Sequence, residues 1–180
     1  AEQMLSMLID AGALVLQDGR WVRADASAEI AVPPTIHALL EARLDGLARP
    51  ERAAIEPASV IGLEFPQTAL ESLAPDAVRP ALPEHLGTLT RRQFIRPAHS
   101  SQSDLIFRFH HHLVRDTVYS GLLKRARANL HLAFVRWSDR VHADSDRGLE
   151  VEEILAYHLE QAYRYLRELV ASGSTVRWPQ

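Results

Sequence analysis

The chain has 180 residues, of which 47% are hydrophobic and 24% are charged, values that are ordinary for a globular protein. Its formal net charge of −3 gives no global positive field that would attract nucleic acid or an anionic membrane. The absence of cysteine excludes disulfides and thiolate chemistry, and the apolar runs are too short to cross a bilayer. With no signal-peptide pattern either, we expect a cytoplasmic protein without membrane contacts.

The start of the chain predicts a helix, a hairpin and a linker. Residues 1–10 place apolar side chains at helical spacing without a capping residue before them, so we expect a longer chain upstream. Residues 13–23 read as a β-hairpin that turns at Asp18-Gly19. Residues 25–31 are small and polar, as linkers are.

A helical stripe follows, and it contains a charged residue. The stripe is formed by Ile36, Leu39, Leu40, Leu44 and Leu47. Arg43 lies on this same stripe and needs a partner there. Two interpretations stay open. Arg43 forms an ion pair within the domain or buries its aliphatic part while its guanidinium reaches water, or else it contacts an anion.

The next elements alternate between helices and an extended pair. Pro50 starts a helix that runs to Ile61, in which Pro57 should cause a kink or a split. A short helix is predicted for residues 66–73, and the pattern of residues 76–91 predicts a helix in its second half. Residues 94–97 and 105–109 then read as two strands, with a polar tip at residues 100–104.

The hydrophobic period changes from 2 to 3.6 at three consecutive histidines, His110 to His112. A strand therefore runs directly into a helix at this point. A winged-helix domain has its elements in the order helix, helix, helix, hairpin, helix. The predicted elements follow this order, and we place the domain at residues 32–123. The fold class we predict is mainly α, with small β-hairpins.

Residues 124–180 predict a pair of amphipathic helices followed by an irregular tail. The first helix has an expected inner face of Leu130, Ala133, Phe134, Trp137 and Val141. After an interruption at residues 142–148, the second has an expected inner face of Leu155, Leu159, Ala162, Leu166 and Leu169. Such a pair resembles the start of a TPR-type array. We expect the tail beyond Val170 to be poorly ordered.

His111 is the main candidate for a binding residue. The first turn of a helix has N–H groups without intrahelical partners and the positive end of the dipole, so a side chain there can help to hold an anion. An alternative is that His111 packs under the hairpin and bonds to the backbone. A zinc site is disfavoured, because adjacent residues at such a junction point in different directions and Arg115 and Asp116 do not complete a ligand set.

Two stretches carry a family resemblance. The first resembles the segment after the wing in winged-helix domains of STAND-class signalling NTPases, and it reads FRFHHHLVRDTVYSGLLKRARANLH. These NTPases are the AAA-like modules found with class III adenylate cyclases and LuxR-type regulators. VPPTIHALLEARLDGLARPERAAIEPASVIGLEF is similar to the segment that opens the same domain. The resemblance continues to about Leu169. It implies that residues 1–31 contain the end of the NTPase lid with a hairpin and linker.

The resemblance implies a role for His111 in sensing nucleotide. In related NB-ARC proteins a Met-His-Asp motif occupies this junction, and its histidine contacts the β-phosphate of ADP. His111 matches that histidine by position, whereas His112 stands where the aspartate would be. Arg43 is the second candidate for a phosphate contact. ADP or ATP would be bound through a neighbouring NTPase domain of the same polypeptide, which would be the principal partner.

We expect this chain to be a non-catalytic regulatory module. It contains no G-x-x-x-x-G-K-[ST] loop, no paired acidic motif for magnesium and no G-x-S-x-G. The parent protein would be an ATPase or a nucleotide cyclase, and its output a cyclase or a transcription regulator.

Two other functions are weighed against this one. A DNA-binding winged helix would read DNA with residues 83–92, where basic groups occur only at the end, at Arg91 and Arg92. A protein-interaction scaffold would act through the helical repeats. We expect protein partners there and do not expect nucleic acid.

Overall fold

The computed structural model of the protein describes residues 14–17, 20–23, 36–100, 104–143 and 149–172. These residues are mainly helical and include two small antiparallel sheets, as the sequence predicts. The chain divides into two compact units between Leu47 and Ala48. Among the described residues, no helix has the combined length and apolar character that crossing a bilayer requires.

The first unit contains a hairpin and a helix. The hairpin pairs Leu14–Gln17 (β1) with Arg20–Arg23 (β2) in antiparallel register, Leu14 opposite Arg23, so the predicted strands are confirmed. The helix is Ile36–Asp45 (α1), and the predicted stripe is buried at Leu39, Leu40, Arg43, Leu44 and Leu47. The predicted helix at 1–10, the turn at Asp18-Gly19 and the linker at 25–31 lie outside the described residues.

The second unit contains six further α-helices and three strands within its described residues. In chain order they are Arg49–Ile61 (α2), Glu64–Pro66 (β3), Gln67–Leu73 (α3), Leu82–Arg91 (α4), Ile95–Ser100 (β4), Leu105–Phe109 (β5), His112–Gly121 (α5), Lys124–Val141 (α6) and Leu149–Ala171 (α7). A 3-10 turn at Arg79–Ala81 precedes α4. The tail is predicted to begin after Val170, but Ala171 still belongs to α7. Residues 173–180 of this tail and residues 144–148 of the interruption lie outside the described residues.

Helix α2 is continuous through Pro57, so of the two predicted effects, a kink or a split, the split does not occur. Its start is stabilised because the Glu51 carboxylate accepts a hydrogen bond from the Ala48 N–H at 2.9 Å. The second half of the helix lies in the core, where Ala54, Ile55, Ala58, Val60 and Ile61 are buried. This burial offsets the hydrogen bond that the proline cannot donate.

The three-stranded sheet has the order β3-β5-β4, with both pairs antiparallel. The two predicted strands are present, and β3 joins them at residues that the sequence did not indicate as a strand. Phe65 on β3 lies against Phe107 and Phe109 on β5, with ring centroids 6.0 Å and 5.6 Å apart. Pro97 is tolerated because β4 is an edge strand, where a ladder donor is not needed.

Helices α6 and α7 pack on each other, and α6 also packs on α2 and α3. Two predicted inner positions are wrong, because Val141 is 54% exposed and Leu159 is 48% exposed. Phe134, Leu155, Ala162 and Leu166 are buried as expected, whereas Leu130, Ala133, Trp137 and Leu169 are only half-buried. The inner faces are rotated because polar side chains occupy their centre, namely His131, Ser138, His158, Gln161 and Tyr165.

Candidate functional site

His111 is the residue at which β5 ends and α5 begins. Its backbone is extended, with φ −144° and ψ 144°, and its ring Nδ1 accepts a hydrogen bond from the Leu113 N–H at 3.1 Å. His111 is therefore the N-cap of α5, a position more often held by serine, threonine, aspartate or asparagine. The cap satisfies one of the backbone donors at the helix start.

The junction is fixed by backbone hydrogen bonds on both sides of the sheet. The Phe109 N–H donates to the Leu63 carbonyl at 3.0 Å, and the His110 N–H donates to the Phe94 carbonyl at 2.9 Å. The residues that precede His111 are thus held by two separate segments of the chain. The position of the His111 ring follows from this anchored backbone together with the cap.

The cap determines the tautomer of His111. A ring nitrogen that accepts a hydrogen bond carries no proton, so the proton of the neutral ring is on Nε2. No acceptor among the described residues bonds to the Nε2–H group, which can therefore donate to a ligand. The ring is half-buried and lies 4.3 Å from the exposed ring of His112, measured between centroids.

The neighbouring histidines differ from His111 in environment. His110 and His112 are exposed, whereas His111 is half-buried. Within the described ranges, no group of three or more histidine, cysteine, aspartate or glutamate side chains is arranged to hold a metal ion. Of the three histidines, His111 has the most defined geometry for a ligand contact.

Arg43, the second predicted site residue, belongs to the first unit, whereas His111 belongs to the second. Arg43 is buried on α1 and is engaged with a partner. A buried guanidinium requires such pairing, because an isolated charge in the interior is strongly unfavourable. This environment suits a structural role as well as it suits an anion contact, and the phosphate contact of Arg43 stays a prediction.

Arg115 connects α5 to the helix α2. Its Nε–H donates to the Ser59 carbonyl at 2.7 Å, and its Nη1 lies 3.1 Å from the Asp116 carboxylate. The same guanidinium lies over the ring of Tyr119, 4.9 Å from the centroid. His111, Arg115 and Tyr119 are spaced four residues apart, which places them along one face of α5.

Tyr119 leads into a group of polar side chains between α5, α6 and α7, which we call the buried polar cluster: Tyr119, Arg127, His131, His158 and Tyr165. The Tyr119 hydroxyl lies 2.9 Å from His131 Nε2 and 3.1 Å from the Tyr165 hydroxyl. The Nδ1 atoms of His131 and His158 are 2.8 Å apart. His131 is 0% exposed and His158 is 1% exposed, so these contacts are inside the protein.

Arg127 closes the cluster on its other side. Its Nη2 donates to the Ser120 carbonyl at 2.6 Å, and its Nη1 lies 3.4 Å from the Tyr165 hydroxyl. The guanidinium lies over both tyrosine rings, 4.9 Å from the centroid of Tyr119 and 5.4 Å from that of Tyr165. Arg127 therefore bridges all three helices through hydrogen bonds and cation–π contacts.

The interior shifts the pKa values of the cluster. Burial, with the positive charges of a protonated His158 and of nearby arginines, lowers the pKa of His131 from 6.5 to about 3. Burial and Arg115 lower the pKa of His158 from 6.5 to about 4. Burial also raises the pKa of Tyr119 well above its usual range. Both histidines and Tyr119 are therefore uncharged at neutral pH.

The buried polar cluster was not predicted from the sequence, because the inner faces of α6 and α7 were assigned by hydrophobicity. A usable signal was present, since Ala128, His131, Phe134 and Ser138 repeat at helical spacing and define the true inner face of α6. On α7, His158 and Tyr165 are seven residues apart and likewise lie on the inner face of the helix.

Comparison of the chain with models of known protein families gives no match, and searches of curated proteins and of solved structures give none either.

Proposed function

We propose that this chain is a non-catalytic regulatory module of a STAND-type signalling NTPase, working in the cytoplasm. In this proposal residues 32–123 form a winged-helix domain and residues 124–180 begin a TPR-like array. The order of elements supports it: α2, α3 and α4 are followed by the β4–β5 hairpin and α5. Strand β3, inserted after α2, completes a three-stranded sheet with the hairpin.

The observation that carries the proposal is the His111 cap at the strand-to-helix junction. Its Nδ1 is occupied by the Leu113 N–H, so the neutral ring keeps one donor, Nε2–H, for a ligand. The first turn of α5 adds the positive end of the helix dipole beside this donor. An oxygen of a phosphate group is a suitable acceptor for this combination.

The proposed mechanism is a nucleotide-dependent switch. With ADP in the neighbouring NTPase domain, the Nε2–H of His111 donates to a β-phosphate oxygen and holds this module in place. Exchange of ADP for ATP removes the contact and releases the module toward a cyclase or transcription-regulator output. A hydrogen bond to a charged group contributes about 1.5–3 kcal/mol, which shifts a two-state equilibrium about 10- to 150-fold.

A first experiment concerns the natural polypeptide in which this chain occurs. A G-x-x-x-x-G-K-[ST] loop about 200–300 residues before residue 1, the span of one such domain, is expected. ADP should co-purify with that polypeptide. A polypeptide with neither the loop nor bound nucleotide contradicts the proposal.

The partner proposed for the helical pair is protein. Large apolar side chains are exposed along α7, namely Leu149, Ile154, Tyr157, Leu159, Tyr163 and Val170. Exposed apolar side chains of this kind suit packing against further helices. The exposed side chains fit a protein partner in both cases: when binding is part of the regulatory role, and when the chain is only an interaction scaffold.

DNA binding is the less supported alternative. On α4, the Arg91 guanidinium donates to Thr88 Oγ1 at 2.8 Å. Arg92, just after the helix, lies 3.7 Å from the Glu51 carboxylate. Both cations thus have partners within the protein, and phosphate binding would have to compete with these contacts.

A further inference from the structure

The buried polar cluster joins three helices through a single line of hydrogen bonds. Tyr119 comes from α5, Arg127 and His131 come from α6, and His158 and Tyr165 come from α7. From Arg127 the line passes to Tyr165, then to Tyr119, then to His131 and finally to His158. Its members come from parts of the sequence up to 46 residues apart, so the line exists only while the three helices are packed.

The neutral forms of the two histidines fit this geometry. A neutral His131 has one ring N–H, so it donates at one of its two contacts and accepts at the other. The Nδ1 of His158 takes the opposite role to the Nδ1 of His131. In these contacts each donor then faces an acceptor, as a buried polar network requires, whereas the Nε–H of Arg127 has no hydrogen-bond partner among the described residues.

The protonated forms do not fit. The 2.8 Å gap between the two Nδ1 atoms has room for one proton, so a fully protonated pair would place two N–H donors face to face. The charged groups that act on the pair are cations from all three helices, Arg115, Arg127 and Arg164, and the other titratable groups beside it are the tyrosines Tyr119, Tyr157 and Tyr165. Neither histidine forms an ion pair with a carboxylate in the described part of the chain. An added charge would therefore be buried without compensation.

Helix α7 depends on this cluster more than the other helices do. Helix α6 packs on α2 and α3 as well as on α7, whereas α7 packs chiefly on α6. The buried face of α7 consists of Leu155, His158, Gln161, Ala162, Tyr165 and Leu166, half of them polar or cluster members. Loss of the cluster would weaken the attachment of α7 and leave the sheet and helices α2 to α5 in place.

We propose that the buried polar cluster is a proton-sensitive lock, which holds α7 onto α5 and α6 while both histidines are neutral and releases α7 when they take up protons. The released α7 exposes the face that carries His158 and Tyr165, in addition to the apolar side chains that are already exposed. The lock uses none of the atoms of the proposed nucleotide contact at His111, and it can be tested without nucleotide.

The test is hydrogen exchange of the intact 180-residue chain, measured by mass spectrometry from pH 7.5 to pH 4 and corrected for the intrinsic pH dependence of exchange. Each proton taken up on opening raises the opening equilibrium constant up to tenfold per pH unit. The α7 amides should therefore lose protection up to 100-fold per unit below pH 6.5, while residues 49–121 stay protected. Simultaneous loss of protection in both regions, or an α7 opening constant that does not change with pH, overturns the proposal.

The matched variant is His131→Gln combined with His158→Gln, because a glutamine amide can donate and accept but does not titrate in this range. In this variant the protection of α7 should not depend on pH between pH 7.5 and about pH 5.5, above the range in which a glutamate such as Glu168, which pairs with Lys124 of α6 at 2.8 Å, takes up a proton. The control is His99→Gln, which changes an exposed histidine of β4 and should leave the acid release unchanged. Acid release that persists in the double variant overturns the proposal. If the double variant does not fold, the test uses the unmodified chain alone. The slope of its α7 opening constant against pH gives the number of protons taken up on opening, and a value below half a proton contradicts the lock.

Discussion

The hydroxyl of Tyr119 lies 2.9 Å from Nε2 of the fully buried His131, and this contact connects α5 to the pair of helices that follows it. Replacing Tyr119 by phenylalanine keeps the ring between the Arg115 and Arg127 guanidiniums but removes the hydroxyl. A buried ring nitrogen of His131 then loses its partner. We expect Tyr119→Phe to lower the free energy of unfolding by about 1–3 kcal/mol.

Urea denaturation monitored by circular dichroism measures this change. The control is Tyr163→Phe on α7, whose side chain is 60% exposed and whose hydroxyl has no buried partner among the described residues. It should change the free energy of unfolding by less than about 0.5 kcal/mol. Equal stability of Tyr119→Phe and the unmodified chain would show that the hydroxyl contacts contribute nothing.

The two buried histidines make global stability depend on pH. Their pKa values in the folded state, about 3 for His131 and about 4 for His158, are below the ordinary value of 6.5, so the unfolded state binds more protons. Their contribution is fully present above pH 6.5 and is lost as the pH falls toward 4 and then 3. The free energy of unfolding should fall by about 1.4 kcal/mol per unit for each histidine in this window. Urea denaturation at pH 7.5, 6, 5 and 4.5 measures the slope.

Two aromatic residues on α6 should differ in their effect on stability. Phe134 is buried and its ring is 4.2 Å from that of His158, whereas Trp137 is half-buried and lies beside Phe134 at 5.4 Å. Phe134→Ala should cost about 3–5 kcal/mol, and Trp137→Ala should cost less. Thermal denaturation gives the comparison, with Val141→Ala as the exposed control. A larger loss for Trp137→Ala would mean that the inner face of α6 is the one first predicted from hydrophobicity.

The cap at His111 predicts opposite outcomes for two substitutions. His111→Ala removes the acceptor for the Leu113 N–H and should cost about 0.5–2 kcal/mol. His111→Asn restores a preferred capping side chain and should leave the free energy of unfolding within about 0.5 kcal/mol of the unmodified value. Denaturation of the isolated chain distinguishes them. A stable alanine variant would show that the cap is unimportant.

The parts of the fold that local patterns determine were predictable from the sequence. Asp18-Gly19 between alternating residues predicted the first hairpin, and the change of period at His110 to His112 predicted the strand-to-helix junction. Strand β3 could not be predicted, because three residues that end in Pro66 become a strand only by pairing with β5, which lies 40 to 44 residues further along the chain.

The candidate site was predictable in position but not in geometry. The junction located His111, whereas the use of its Nδ1 as the helix cap depends on a local backbone conformation that the sequence does not specify. The buried polar cluster depends on hydrogen bonds between residues that are distant in the chain, such as Tyr119 and Tyr165. A prediction from hydrophobic periodicity places histidine and tyrosine on the solvent-facing side of a helix. It does not consider that a polar side chain can be buried when its hydrogen bonds are made within the core.

The central claim is that the Nε2–H of His111 contacts the phosphate of ADP bound in the neighbouring domain. The most direct measurement is the rate of ADP release from the full natural polypeptide with His111→Asn, which keeps the helix cap and, because its amide is shorter than the imidazole, places no N–H group where Nε2–H lies. ADP release should be about 10- to 150-fold faster than from the unmodified protein, as loss of one hydrogen bond to a charged group implies. His112→Asn, at an exposed position, is the matched control and should release ADP at the unmodified rate. Equal release rates for His111→Asn and the unmodified protein would contradict the claim.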